Sequence, residues 1–130
     1  FRILGSDKNK YAVSTALKGI KTAGLSDIPV QTLDVKELGS RYEKGKIITN
    51  PPYGERLDPG DIDRLYRDIG HVFLTKFPNW SYYILTATDG FETLFGQKAT
   101  KNRKLYNGGI QCRFYQYFYG AETNKKERRR

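Results

Sequence analysis

Apolar positions recur along the chain with two different spacings, and each spacing predicts a kind of element. Over residues 61–77, Ile62, Leu65, Tyr66, Ile69, Val72, Phe73 and Phe77 return at helical steps, with Asp61 and Asp63 near the start, where negative charge opposes the helix dipole. Pro78 and Asn79 mark its end. Residues 8–23 repeat the pattern through Tyr11, Ala12, Ala16, Leu17 and Ile20, and Gly24 supplies a stop. Short apolar runs predict strands at residues 1–4, leading into Gly5-Ser6-Asp7, at 28–33 with Asp34 at the end, at 46–49 with Asn50 at the end, and at 80–86. Asp89 is placed to cap a short helix running to Phe95, which Gly96 closes. Residues 103–106, the turn Asn107-Gly108-Gly109 and residues 110–119 read as a β-hairpin.

The resulting order is β-α-β-β-α-β-α and then a hairpin, which implies an α/β sandwich with a largely parallel sheet and one antiparallel strand at its end. Three of the strands stop on a polar residue: Asp7, Asp34 and Asn50. In a parallel sheet such residues line the crevice at the carboxyl edge, where ligands bind. The Gly-x-Gly loop that opens a dinucleotide-type fold occurs nowhere in the sequence.

A length of 130 residues fits one domain with a single core. The formal charge of +9 is only partly due to the tail, where Lys125, Lys126, Arg128, Arg129 and Arg130 flank Glu127. A basic body favours a polyanionic partner, nucleic acid ahead of membrane because no basic amphipathic segment with a broad apolar face is present; a merely soluble basic surface is the plainer reading. Cys112 has no second cysteine to pair with and His71 no second histidine, so neither a disulfide nor a metal site is expected, and the chain reads as belonging to a reducing, cytoplasmic compartment. No signal peptide or membrane-spanning stretch is evident in the sequence. A chain that starts at Phe1 and has no methionine is expected to be a trimmed or partial polypeptide.

Chemistry concentrates at Asn50-Pro51-Pro52-Tyr53, directly after the apolar run Ile47-Ile48-Thr49. An amide, two residues of fixed φ and an aromatic face together can grip a planar amine, accepting its N–H hydrogens and stacking on its ring. A strand-to-helix turn in which Asn and Pro only set geometry is the alternative. The longer run Ile48-Thr49-Asn50-Pro51-Pro52-Tyr53-Gly54-Glu55-Arg56-Leu57 resembles the signature of S-adenosylmethionine-dependent RNA guanine-N2 methyltransferases, often attached to a THUMP RNA-binding domain and including large-subunit ribosomal RNA enzymes. Gly5-Ser6-Asp7, the helix reaching Ala23-Gly24, Asp34 and Lys104-Leu105-Tyr106-Asn107-Gly108 look like further landmarks of that family. Asn-Pro-Pro-Tyr by itself is shared with methyltransferases acting on adenine N6, cytosine N4 and glutamine.

The resemblance implies a Rossmann-like class I methyltransferase sheet that lacks its first strand and glycine loop, with residues 1–120 a partial methyltransferase domain and 121–130 a basic tail. It implies S-adenosylmethionine as cofactor, ribosomal RNA as partner, and a missing N-terminal part or another chain to complete the sheet; the chain alone is expected to transfer no methyl group. Asn50 and Pro51 would orient the amine on the rigid Asn50-Pro51-Pro52-Tyr53 backbone and Tyr53 would stack on a flipped base, with Asn50 also facing the cofactor. Asp7 would accept from the cofactor ribose, or else cap the following helix; Asp34 would meet the adenine amino group, or else sit in a surface turn. Arg56 would reach phosphate or the guanine edge, or form an ordinary salt bridge, and Lys101, Arg103 and Lys104 would line a phosphate strip beside Asn107, or a solvated loop. Phe114, Tyr115, Tyr117, Phe118 and Tyr119 read as packing rather than base stacking, with His71 structural and Cys112 a buried small residue. Two alternative functions stay open: adenine-N6 methylation of nucleic acid, and a non-catalytic basic RNA-binding module.

Overall fold

The computed structural model describes residues 2–25, 27–53 and 57–119. Phe1, the Gly54-Glu55-Arg56 extension and the basic tail lie outside the described residues. The chain divides into two compact units, Phe1–Leu38 and Gly39–Arg130.

In the first unit, β1 (Gly5–Asp7) pairs in parallel with β2 (Val30–Thr32), and α1 (Lys10–Thr22) connects them. The first strand thus begins where the apolar run 1–4 ends, and Leu4 is 66% exposed. Position 29 explains the shift. Gly5 N donates to the Pro29 carbonyl, and proline has no N–H with which to carry the ladder further upstream. The same residue trims the predicted strand 28–33 to Val30–Thr32. The helix starts at Lys10 rather than Lys8 because Asn9 caps it, its Oδ1 accepting from Tyr11 N at 2.8 Å and Ala12 N at 3.4 Å. At the other end Gly24 takes a φ of 76°, with Gly24 N bonded to Lys21 O and Leu25 N to Ile20 O, the paired bonds of a Schellman stop.

The second unit is a four-stranded sheet in the order β3-β4-β6-β5, from β3 (Lys46–Thr49), β4 (Ser81–Thr86), β5 (Lys101–Asn107) and β6 (Ile110–Tyr117). β3 and β4 are parallel, and β6 is antiparallel to both of its neighbours, so β5 runs in the direction of β3 and β4. Within this sheet β6 alone runs against the other three strands, as the expected fold class requires. The hairpin turn is Gly108-Gly109, and Gly108 takes a φ of 63°, the left-handed value that a two-residue hairpin turn asks of its first residue.

The long helix α2 (Pro59–Lys76) packs on this sheet, followed by the short α3 (Phe91–Phe95). Gly90, in a left-handed conformation, precedes α3, so the cap predicted at Asp89 is displaced by one residue and no side chain supplies it. The core is aromatic. Tyr66 and Phe73 from α2 and its C-cap Phe77 meet Tyr82 and Ile84 from β4, Phe91 and Phe95 from α3, and Tyr115 and Tyr117 from β6, all buried. Phe91 stacks on Tyr115 with centroids 4.5 Å apart and Phe95 lies 4.7 Å from Tyr117, which bears out packing as the role of those tyrosines. Phe114 and Phe118 pack on Tyr83 across the other face, and Tyr119 is exposed. The Tyr82 hydroxyl donates to Phe73 O at 2.7 Å and approaches Phe77 O, while burial pushes its pKa up to about 12. Two glycines permit close approach. A Cβ on Gly70 would stand 1.9 Å from the Phe95 carbonyl oxygen, and one on Gly45 would stand 2.5 Å from the Trp80 ring. No helix among the described residues is long and apolar enough to cross a membrane.

Candidate nucleotide-amine site

β3 delivers Asn50 to the carboxyl edge of the four-stranded sheet, and the chain then turns through Pro51, which is buried, Pro52, which is exposed, and the half-buried Tyr53. Two groups of side chains hold this turn from opposite ends. From α2, the fully buried Tyr66 hydroxyl donates to the Pro52 carbonyl at 2.7 Å and lies 2.7 Å from Thr86 Oγ1 at the end of β4. A phenol has one proton, so with that proton on Pro52 the Thr86 hydroxyl is the donor to Tyr66. Thr88 N in turn donates to Thr86 Oγ1 at 3.1 Å, which completes a chain of polarised bonds ending on Pro52. Burial raises the Tyr66 pKa above the ordinary tyrosine value, Thr86 opposing in part, so the donor keeps its proton.

From the hairpin, Asn107 Nδ2 donates to the Tyr53 hydroxyl oxygen at 2.8 Å, and Cys112 Sγ lies 3.5 Å from the same oxygen. Tyr53 and Asn107, assigned separately from sequence, are therefore bonded across 54 positions of chain. This fixes one end of the Tyr53 ring and leaves a partly open face. Cys112 is buried as expected, with an added contact that its size alone did not suggest.

What the turn leaves open matters as much as what it binds. The Asn50 side chain and the Pro51 carbonyl accept no hydrogen bond among the described residues, whereas the next carbonyl, Pro52, is tied down. Two acceptors of fixed backbone thus stand beside an aromatic ring at a sheet's carboxyl edge. That set can receive both N–H bonds of one planar amine.

The family model for the RMKL-like methyltransferase domain matches residues 1–116 of this chain. The chain belongs to that family. Among curated relatives of this methyltransferase domain, the ribosomal RNA large subunit methyltransferase K/L of Marinomonas sp. (strain MWYL1) is 34% identical over 131 residues, which are 97% of this chain and 18% of that protein. The crystal structure of SMU.472 complexed with SAH superposes with a TM-score of 0.86 at 37% identity, covering 91% of this chain and 32% of that one. A structure from Listeria monocytogenes str. 4b F2365, described as a predicted N6-adenine-specific DNA methylase, gives a TM-score of 0.80 at 39% identity over 91% of this chain and 30% of that one. The chain spans no more than a third of the length of the curated relatives it matches first. The neighbours are class I methyltransferases, and the mixed parallel and antiparallel topology of this domain is theirs.

Within the first unit of the methyltransferase domain, Asp7 and Asp34 both lie at the carboxyl edge of the β1–β2 pair, where Leu33 N donates to Asp7 O. Asp7 does not cap α1. Its Oδ1 accepts from Asn9 N at 2.8 Å, and its other oxygen is unengaged among the described residues. Asp34 caps the 3-10 turn Val35–Glu37 in a capping box, with Oδ1 accepting from Lys36 N at 2.9 Å and Oδ2 3.8 Å from Lys8 Nζ. The Lys36 N–H chiefly, with Lys36 and Lys8 charges adding, lowers the Asp34 pKa, so the carboxylate stays an anionic acceptor. Arg56 lies outside the described residues. Lys101 and Arg103 do not form one strip with Lys104: strand alternation sends the first two to the face of Asn107 and Cys112 and the third to the face of Arg113. Tyr66, whose hydroxyl holds the Pro52 carbonyl, is the residue of this candidate site that sequence reasoning missed, since its position in the helical repeat marks only a core side chain.

Proposed function

We propose that the intact protein carrying this domain transfers a methyl group from S-adenosylmethionine to the exocyclic N2 amine of guanine in ribosomal RNA. The observation that carries the reading is a pair of acceptors that take no hydrogen bond from the described residues, the Asn50 side-chain oxygen and the Pro51 carbonyl, beside the anchored ring of Tyr53. An exocyclic amine conjugated with its ring is a weak nucleophile. Hydrogen bonds from its two N–H groups to Asn50 and Pro51 draw electron density onto nitrogen, Tyr53 stacks on the extruded base, and once the methyl group is on nitrogen the cationic amine loses one proton to water.

The cofactor, when bound, supplies a methyl group already activated on sulfur. The residues present fit it: Asp7 has a carboxylate oxygen unengaged among the described residues for a ribose hydroxyl, and Asp34 stays ionised to accept from an adenine amino group. Support for RNA as substrate comes from the basic charge of +9 and from the ribosomal RNA methyltransferase K/L relatives, and a ribosomal substrate goes with a cytoplasmic location.

The Listeria neighbour's description favours a second reading, adenine N6, because Asn50 and Pro51 would receive that amine in the same way. Incubation of the full-length protein with labelled cofactor and RNA, followed by nuclease digestion and mass spectrometry, separates the two. N2-methylguanosine is the expected product. N6-methyladenosine would establish the second reading, and clear RNA binding without cofactor binding or transfer would favour a non-catalytic module.

A further inference from the structure

We propose that the β5–β6 hairpin residues Lys104, Arg113 and Tyr106, which share one face of the sheet, bind the RNA strand that flanks the target base, the two cations on phosphates and the ring under an unpaired base. The proposal rests on the RNA reading of the site above. Residues 98–119 contain five lysines and arginines and no acidic residue, so this stretch concentrates positive charge within the domain. Within it, Lys104 stands directly opposite Arg113 on the paired strand. Like charges in that relation repel and destabilise a sheet.

Arg113 Nη1 donates to the neutral Asn102 side chain at 3.0 Å, and neither Lys104 nor Arg113 has an ion pair among the described residues. Cations on an edge strand can serve only to prevent edge-to-edge pairing. That role does not account for Arg113, because β6 is an inner strand with β4 on one side and β5 on the other. A polyanion lying across the pair supplies the missing counter-charge. Tyr106 shares the face of Lys104 two positions along and is 65% exposed, an aromatic surface of the kind on which single-stranded bases stack.

Position completes the case. β5 runs parallel to β3, so Tyr106 ends at the same sheet edge as Asn50, while its neighbour Asn107 faces the opposite side and is bonded to Tyr53 across that edge. A strand whose flipped base rests on Tyr53 meets Tyr106, Lys104 and Arg113 by passing over that edge.

The test is fluorescence anisotropy of a single-stranded guanine-containing RNA of about 20 nucleotides with the full-length protein, in a salt series. The Lys104→Gln/Arg113→Gln variant is expected to bind about tenfold or more weakly near 0.1 M salt, with the salt slope lower by about 1.4 for two lost phosphate contacts. The charge-matched Lys101→Gln/Arg103→Gln variant, altered on the opposite face, is expected to lose about threefold or less, and Tyr106→Leu to weaken binding about fivefold with the slope unchanged. Cofactor affinity and melting temperature report that each variant is folded. Equal losses from the two charge pairs, or wild-type affinity in the Lys104/Arg113 variant while the wild-type protein methylates guanine in RNA, overturn the hairpin proposal alone. A wild-type protein that neither binds nor methylates RNA overturns the function reading and the hairpin proposal together.

Discussion

Replacing Asn50 with alanine in the full-length protein is expected to lower methyl transfer by about a hundredfold or more while RNA affinity changes by no more than about threefold. The asymmetry follows from where Asn50 sits. Its side chain ends a strand at the sheet's carboxyl edge and holds no other described part of the fold, so removing it opens no cavity in the core. It is one of two acceptors that strengthen as the amine becomes electron-rich, and an interaction gained in the transition state appears in turnover rather than in binding. Asn50→Asp sharpens the test, since it keeps an acceptor and retains more transfer than alanine does. Single-turnover rates with labelled cofactor, set beside anisotropy binding, read both quantities. A parallel loss of rate and affinity would show that Asn50 binds RNA without activating the amine.

Tyr66→Phe is expected to lower transfer about tenfold to a hundredfold through the position of the loop, and to reduce stability by about 1 to 3 kcal/mol. The Tyr66 proton holds the Pro52 carbonyl, one residue from the acceptor at Pro51. Without it, the Pro52 oxygen is free to rotate and the Thr86 hydroxyl loses its buried acceptor. The ring itself remains, packed at 88° to Phe91, so the core keeps its shape. Turnover measured below the melting transition, together with denaturant midpoints, separates the two effects. Loss of stability with an unchanged rate would confine Tyr66 to the core.

The long helix was legible because it obeys one rule without interference: its apolar positions keep a 3.6 period and its sequence begins with Pro59 and acidic residues. The hairpin was legible in kind from Asn107-Gly108-Gly109, though β5 extends further, to Lys101. The first strand was misplaced because an apolar run does not say which backbone will pair with it, and Pro29, far along the chain, ended the ladder at Gly5. Asn9 carried a visible capping signal that the neighbouring Asp7 obscured. In the candidate site, Asn50, Tyr53 and Asn107 were singled out by their chemistry and resemblance, yet the bond between Tyr53 and Asn107 depends on a fold that joins β3 to the hairpin through β4 and β6. Tyr66 gave no sequence signal distinct from a core residue, since only its hydroxyl, pointed at Pro52, makes it part of the site. The supposed strip of Lys101, Arg103 and Lys104 was an error of period: two-residue alternation divides it between faces.

The choice between guanine and other acceptors comes down to one atom, the 2-amino nitrogen. Inosine presents the same purine face and lacks that group. Once the modified position is mapped, the full-length protein should be given matched RNAs carrying guanosine or inosine there, with transfer and binding followed in parallel. The expected result is that inosine abolishes transfer while binding falls by only a few-fold. Undiminished transfer to the inosine RNA would contradict methylation at guanine N2 in the Asn50-Pro51 site.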